Sequence, residues 1–507
     1  MKSKKYPLID IFAGPGGLGE GFSSYTSERK KYKPFEISVS IERDEYAYET
    51  LLLRHFFKSF DSNDVPEMYY QYLNGELTKE DLYQNYSKNF ELAKNRAFKI
   101  SLGEESHDEV KKLIAKKLNK QKKWALIGGP PCQAYSLVGR SRMKGSPDFE
   151  ADERHFLYKE YLKIIFDHKP PVFIMENVKG LLSAKVDGEP VINRIVSDLS
   201  SPQTAVSGKA GRLKYKLYSL SHEGEVDQET DPKHFIVKAE NHGVPQARHR
   251  MFIIGVRSDI EYSPSTLIRS NPPSVKDVIS DLPKIRSHIS RQKDNAEEWV
   301  EAVCNINSLM KSNRVGLVGG IETELDLALR NIKKSRLKTN SKKYKKPKAL
   351  EAWYYDEKLK SISCHESRGH MEGDLHRYLF CSLYAKKNKI SPKIKDFPVQ
   401  FLPKHKNINK AVQGKMFSDR FRVQVADRVA TTITSHISKD GHYFIHYDPV
   451  QCRSLTVREA ARLQTFPDNY HFEGPRTAKF HQVGNAVPPY LAAQIAVIIE
   501  SVLDRVK

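Results

Sequence analysis

Cysteine is scarce in this chain: five in 507 residues, at 132, 304, 364, 381 and 452. They are odd in number and far apart, and no two form a CxxC pair. That argues against a disulfide-stapled fold and against a structural zinc site. Acid is also in deficit. Lys and Arg number 83 against 62 Asp and Glu, a formal net charge of +21 with a pI near 9.4. Such an excess suits a polyanionic partner. No run approaches bilayer-spanning length, so no membrane is expected. The N-terminal MKSKKYPLIDIFAG is basic and then apolar, but Asp10 interrupts it and a glycine-rich loop follows at once. A secretory signal is therefore not expected, and a reducing cytoplasm is. Internal repeats and long low-complexity linkers are missing too. The length allows roughly two to four domains' worth of chain and a large core.

What is present is a rhythm of strands and helices. Tyr6 to Phe12 reads as a short buried strand, followed by Gly14-Pro-Gly-Gly-Leu-Gly19 and a helix. Phe35 to Ile41 is a second strand, ending at Glu42, and 43–57 is helical. Further strands are expected at 124–127, 171–175, 234–239 and 251–256, with a helix over 158–166. This alternation predicts a mostly parallel, doubly wound α/β sheet with helices on both faces. Segment 58–121 is a polar, Tyr-rich insert to which the sequence assigns no role. The rhythm stops near residue 258. Residues 258–445 read as a smaller inserted domain, and 446–507 return to the first, 1–257. Thr456 and Glu459 have the spacing of a capping box, and a last amphipathic helix spans 490–503. The basic run Lys333 to Lys348 reads equally well as a phosphate-tracking loop or as a solvated, mobile one.

The chemistry gathers at strand ends. Gly128-Gly-Pro-Pro-Cys-Gln-Ala-Tyr-Ser136 follows the strand 124–127. Two prolines stiffen the approach to Cys132 and fix the direction of its thiol. Glu176 ends another apolar strand, where partial desolvation favours a protonated carboxyl. In an open parallel sheet the carboxyl ends of strands line the ligand crevice, so thiol, carboxyl and glycine-rich turn should share one edge. The turn lets backbone amides approach a ligand, and Glu42 can bind ribose hydroxyls, which together favour an adenosine-containing cofactor. Gln246, Arg248 and Arg250 lie in an extended segment, with the two arginines on one face. Taken singly, Cys132 could be a buried core thiol, the loop a tight turn, and the arginines a basic strand lip.

Six motifs, in order, resemble the DNA cytosine-5 methyltransferases. They are Asp10-Ile-Phe-Ala-Gly-Pro-Gly-Gly17, Gly129-Pro-Pro-Cys-Gln133, Glu176-Asn-Val178, Gln246-Ala-Arg-His-Arg250, Arg458 to Pro467, and Gly484-Asn-Ala-Val-Pro-Pro489. The resemblance covers roughly 1–57, 122–260 and 425–505, and six motifs in register make chance agreement very unlikely. It implies a class I, Rossmann-like methyltransferase fold with S-adenosylmethionine as cofactor and no metal. Phe12 would lie on the adenine and Glu42 on the ribose, with Asp10, Ala13, Gly17 and Arg43 beside them. Gly14, Gly16 and Asn485 would shape the methionine end, with Ala486 and Val487 next to Asn485 and Pro131 nearby, close to the base. Gln133, Ser136, Asn177 and Gln246 would meet the substrate. The inserted 258–445 would read the DNA sequence. Two departures stand out. Lys99-Ile-Ser-Leu-Gly103 holds no acid where the family contacts the adenine amine, leaving only Glu104 nearby, and Arg43 stands where the family often has Trp.

By this resemblance Cys132 would add to C6 of a flipped cytosine, making C5 nucleophilic. Glu176, protonated, would serve N3, and Arg248 or Arg250 would bind O2. The expected substrate is double-stranded DNA in a restriction–modification setting, where a separate endonuclease, not bound to the chain, would share the site. The chain is expected to be a monomer. Two alternatives remain open at this point: an RNA cytosine-5 methyltransferase, and a DNA-binding relative that has lost catalysis.

Overall fold

Leu8 of the first strand faces one hydrophobic core and Ile9 and Ile11 face another, on opposite sides of the same sheet. Burial on both faces is why this strand reads as an apolar run, broken by Asp10, rather than as an alternation. A computed structural model describes residues 5–61, 64–131, 157–186, 188–312, 320–403, 413 and 419–507. Its main sheet has nine strands: β1 Tyr6–Ile11, β2 Phe35–Glu42, β3 Ala97–Lys99, β4 Ala125–Gly128, β5 Val172–Val178, β6 Tyr215–Tyr218, β7 Glu225–Val226, β8 Ile236–Lys238 and β9 His249–Arg257. The order is β3-β2-β1-β4-β5-β9-β6-β7, and β8 pairs with β9. β3, β2, β1, β4 and β5 run parallel. β9 is antiparallel to β5, β6 and β8, and β7 to β6.

The mixed α/β fold with a large, mostly parallel sheet is the one the strand–helix rhythm predicts. From β1 the chain builds outward to β2 and β3, then returns to the other side of β1 for β4. The strand order therefore reverses between β1 and β4, and a crevice opens beyond their carboxyl ends. Helix α1, Gly17–Ser24, packs Leu18 and Phe22 on one face, together with Leu491, Ile495 and Ile499 of the C-terminal helix Pro489–Arg505. Val110, Ile114, Leu162, Ile165 and Leu199 cover the other face. Helix α2, Glu45–Lys58, is capped by Asp44, which accepts from Ala47 N at 2.9 Å. It is tied to α1 by Arg54, which donates to both carboxylate oxygens of Glu20 at 2.8 and 2.7 Å.

The chain divides into two compact units: Met1–Val65, Tyr83–Asn271 and Ala486–Lys507 in the first, Pro66–Leu82 and Pro272–Asn485 in the second. Insert 58–121 is thus shared between them. Its later part supplies β3 to the sheet, and helix α3, Glu67–Asn74, belongs to the second unit.

The second unit is largely helical among its described residues. Its core joins Trp299, helix α4 Glu322–Lys334 through Leu325 and Leu329, and helix α5 Glu372–Asn388 through Leu375 and Leu379. Helix α6, Val457–Leu463, carries the expected capping box: Thr456 N donates to Glu459 at 2.8 Å and Glu459 N to Thr456 Oγ1 at 3.2 Å. Around α6 sits a buried ionic network. Arg453 donates to both oxygens of Glu459 at 2.7 Å. Arg462 binds Asp468 at 2.9 and 2.8 Å and Asp281 at 2.7 Å. Tyr70 of α3 donates to Asp356 at 2.9 Å and Tyr72 to Glu473 at 2.6 Å, which fastens the helix within this unit. The sequence reading finds no run of membrane length. By length and composition Arg476–Arg505 does reach it, and 72% of its most apolar window is buried inside the fold.

Candidate active site

Register along the sheet brings the predicted residues to one edge. Ile11 pairs with Ile41 and with Gly128, and Gly128 pairs with Met175. The residues that follow these positions, Phe12, Glu42, Gly129 and Glu176, therefore leave adjacent strands at the same level.

The turn after β1 is strained. Phe12 has φ 54, left-handed for a bulky residue, and Gly14 and Gly16 follow at φ 57 and 87. Strain of this kind persists only where surroundings enforce it, and it clusters at ligand clamps. Here Ala13 N donates to Ile41 O at 3.1 Å and Gly14 N to Glu42 Oε2 at 2.8 Å. The other oxygen of Glu42 accepts from Arg43 N and Asp44 N, both at 2.8 Å. A carboxylate offers about four acceptor positions, so three amides orient Glu42 and leave one lone-pair direction open. The Arg43 side chain itself is exposed.

Gly17 sits where only glycine fits: a Cβ there would meet Val487 O at 2.2 Å. The Ala486-Val487 segment is thereby laid directly against the glycine-rich turn. Beside Gly14 the space is open, with nothing within 4 Å of a Cβ position. Asp10 is buried under the turn, its carboxyl driven well above the usual range by burial first and by the charge of Glu42 second, with the Gly19 amide opposing. Asn485 ends helix Arg476–Asn485 and falls in the second unit.

β4 delivers Gly128 and then Gly129-Pro130-Pro131. A Cβ on Gly129 would lie 2.7 Å from Glu176 Oε2, so the glycine makes room for that carboxyl. Asn177 Nδ2 donates to Pro130 O at 3.0 Å, and Asn177 Oδ1 accepts from Val178 N at 2.8 Å. Asn177 thus ties the proline turn to β5, a holding contact that the sequence reading, which gave it to the substrate, does not foresee. Cys132, Gln133 and Ser136 lie outside the described residues.

Glu176 and Arg250 form a pair at 3.1 Å, with side chains 14% and 16% exposed. Burial raises the Glu176 carboxyl above its ordinary value, and Arg250, then Arg248, only partly oppose this. Burial likewise pulls Arg250 down, while Glu176 opposes. Arg248 is 1% exposed, and burial pushes it well down, with Arg250 adding to the effect. Arg250 is opposite Val178 in the β5–β9 register, two residues from Glu176 and so on its face of the sheet. Gln246 is fully buried just ahead of this strand. β3 ends at Lys99, level with Glu42, and Lys99 pairs with Glu45 rather than offering an acid to the crevice. Among the described residues no group of three His, Cys, Asp or Glu could hold a metal ion.

Residues 76–501 match the family model described as C-5 cytosine-specific DNA methylase. The chain belongs to that family and is a DNA cytosine-5 methyltransferase. It is 31% identical to the Type II methyltransferase M.Bpa9945I of Bacillus paralicheniformis, over 98% of this chain and 99% of that protein. It is 24% identical to the Type II methyltransferase M.DdeI of Desulfomicrobium norvegicum, over 96% of this chain and 87% of that one. The solved structure of the Entamoeba histolytica methyltransferase EhMeth aligns over 99% of each chain at 13% identity with a TM-score of 0.45.

Proposed function

We propose that the chain transfers a methyl group from S-adenosylmethionine to C5 of a cytosine flipped from a specific double-stranded DNA sequence, as the modification enzyme of a restriction–modification pair. The observation that carries this reading is the placement of Glu176. Its enclosed, raised carboxyl lies against Gly129, on the turn that leads to Cys132, with Arg250 at 3.1 Å. A buried acid, a guanidinium and the approach to a thiol suit a reaction that builds and discharges charge on a pyrimidine ring.

The crevice at β1 and β2 fits the cofactor. Open space lies beside Gly14, Glu42 keeps a free acceptor direction for a ribose hydroxyl, and Phe12 is only partly buried, which leaves it available to an adenine face. Bound there, S-adenosylmethionine supplies an electrophilic methyl group. Val487, against Gly17, closes the methionine end with Gly16.

The protein's own groups do the rest. The Cys132 thiolate adds to C6, and the ring electrons move toward C5 while Glu176 gives a proton or hydrogen bond at N3. Arg250 holds O2 and offsets the negative charge that develops there, and Arg248 supports it from the buried side. After C5 gains the methyl, loss of its proton restores the double bond and expels the thiol. The base must leave the stack for this attack, at a cost of a few kcal/mol. Residues within 258–445 offset that cost through the duplex and select its sequence.

Sequencing methylated cytosines in a host that expresses the chain, with labelled-methyl transfer to duplex DNA and tRNA alongside, tests this reading. One methylated cytosine within one duplex sequence is expected. Transfer to tRNA alone would overturn it. Cys132→Ala is expected to abolish turnover and trapping on a 5-fluorocytosine duplex while leaving DNA binding. Methyl transfer by that variant would remove Cys132 as the nucleophile.

A further inference from the structure

The sixteen residues Lys333 to Lys348 contain nine basic and no acidic side chains. The backbone of this run is held by hydrogen bonds and bridges to neighbouring segments. Lys338 O accepts from Arg286 N at 2.9 Å, Thr339 O from Ser367 N at 2.9 Å, and Lys342 O from Ile362 N at 2.9 Å. Antiparallel bridges join Asn340 to Glu366 and Lys343 to Ser361. Pro347 is buried, and Tyr344 stacks on Tyr355 with ring centroids 6.1 Å apart. Helix α3 supports the segment at its middle: Lys342 donates to Asn74 O, and Ser361, beside it, donates to Asn74 Oδ1.

Exposure alternates along this fixed backbone. Leu337, Thr339 and Ser341 are partly buried, whereas Arg336, Lys338, Asn340 and Lys342 are exposed. After Lys342 the phase shifts, and Lys343, Lys345, Lys346 and Lys348 are exposed around Tyr344 and Pro347. Every outward position but Asn340 is therefore a cation. In extended chain, alternate residues stand about 6.6 Å apart, close to two nucleotide steps of one duplex strand along its axis. Lys346 is paired with Glu351 at 2.7 Å, but Lys338, Lys343, Lys345 and Lys348 have no ion-pair partner among the described residues.

We propose that residues 336–348 form a pre-ordered basic rail that grips the phosphate backbone of duplex DNA without reading its sequence. The proposal rests on the DNA methyltransferase reading and adds to it the surface that supplies non-specific affinity. Ordering before contact matters, because a rail already held by backbone hydrogen bonds loses little conformational freedom on binding.

The test is salt-dependent binding of the full chain to target and non-target duplexes. Two variants with equal charge change are compared. One replaces Lys338, Lys343, Lys345 and Lys348 by Gln. The other replaces Lys112, Lys116, Lys120 and Lys122, exposed lysines of the first unit. Each phosphate contact adds about 0.9 to the slope of log affinity against log salt. The rail variant is expected to lose roughly 3 to 4 of that slope, and on the order of a thousandfold in affinity at 0.1 M salt, equally for both duplexes. Its melting midpoint stays at the wild-type level. The control variant changes the slope by less than about one. An unchanged slope in the rail variant, or an equal loss in both, overturns the rail while wild-type methylation keeps the enzymatic reading intact. A larger loss on single-stranded RNA than on duplex also overturns it. Failure of the wild type to bind or methylate duplex sinks the enzymatic reading and the rail with it, and is told apart because it appears without any substitution.

Discussion

Glu176→Gln separates the carboxyl's chemistry from its shape. The glutamine fits the same enclosure against Gly129 and stays beside Arg250, which lies 3.1 Å from Glu176, but its amide has no acidic proton to transfer. Removing one partner of a buried pair outright costs about 3–5 kcal/mol. Since the amide keeps the shape and a polar neighbour for Arg250, the expected loss of stability is smaller, about 1–3 kcal/mol. The kinetic effect is larger. Loss of a positioned proton donor lowers kcat by roughly 10² to 10⁴, about 3–5 kcal/mol of barrier. Direction with pH follows from the raised carboxyl. The useful form is protonated, and the upward shift keeps it populated to higher pH than an ordinary glutamate. Wild-type kcat should therefore fall as pH rises through the Glu176 value, and the glutamine variant should lack that limb. The same shift means the native state gains from this group at low pH and loses that gain as pH rises, a loss the variant escapes. Turnover at saturating duplex and donor, across pH with thermal unfolding in parallel, measures both. A variant within about tenfold of wild type that kept the same alkaline limb would refute Glu176 as the proton donor.

Three further outcomes are expected. Gly17→Ala places a methyl 2.2 Å from Val487 O, so calorimetry should show weakened S-adenosylmethionine binding and a stability loss of about 1–3 kcal/mol; wild-type affinity would count against the crevice assignment. Asp468→Ala leaves the fully buried Arg462 with Asp281 as its one carboxylate partner beside Val278 O, which should cost about 3–5 kcal/mol in urea unfolding, and an unchanged midpoint would show the network to be dispensable. His365 and His446, both pulled down to about 4 by burial, and His55, to about 3, stay neutral in the native state. The unfolded chain takes up these protons first, so stability present above the ordinary histidine range is lost as pH falls toward 4, by roughly 1.4 kcal/mol per pH unit for each group. A flat denaturation midpoint between neutral pH and pH 5 would contradict that.

The sheet was legible where strands are buried on both faces, because burial leaves a mostly apolar run. Tyr6–Ile11, Ala125–Gly128 and Val172–Val178 all read this way. β3 and β7 escaped notice because two or three residues carry no period, and β6, Tyr-Lys-Leu-Tyr, is too short to separate from a loop. At the crevice the glycine-rich turn and Glu42 were legible as residue types. The three amides that orient Glu42 were not, since backbone geometry leaves no mark on composition. The tie from Asn177 to Pro130 O was hidden for the same reason. In the second unit the Thr456–Glu459 box was readable from spacing, but no spacing pattern shows that Arg453 pairs with Glu459 or Arg462 with Asp281 and Asp468. The alternation of Arg336 to Lys342 was concealed because two of its three inward residues, Thr339 and Ser341, are polar as well.

Helix α3 has a consequence for how this enzyme could be rebuilt. Lys360, Asp356 and Glu473 of the second unit find Glu67, Tyr70 and Tyr72 as partners, and all three come from a segment more than 190 residues before the start of Pro272–Asn485. A graft that moves Pro272–Asn485 alone into another scaffold strands those groups and removes the floor beneath Lys342. Exchange of specificity between relatives must carry two pieces of gene together, so recombination at a single pair of breakpoints should yield chimeras that fail before their sequence preference can be asked.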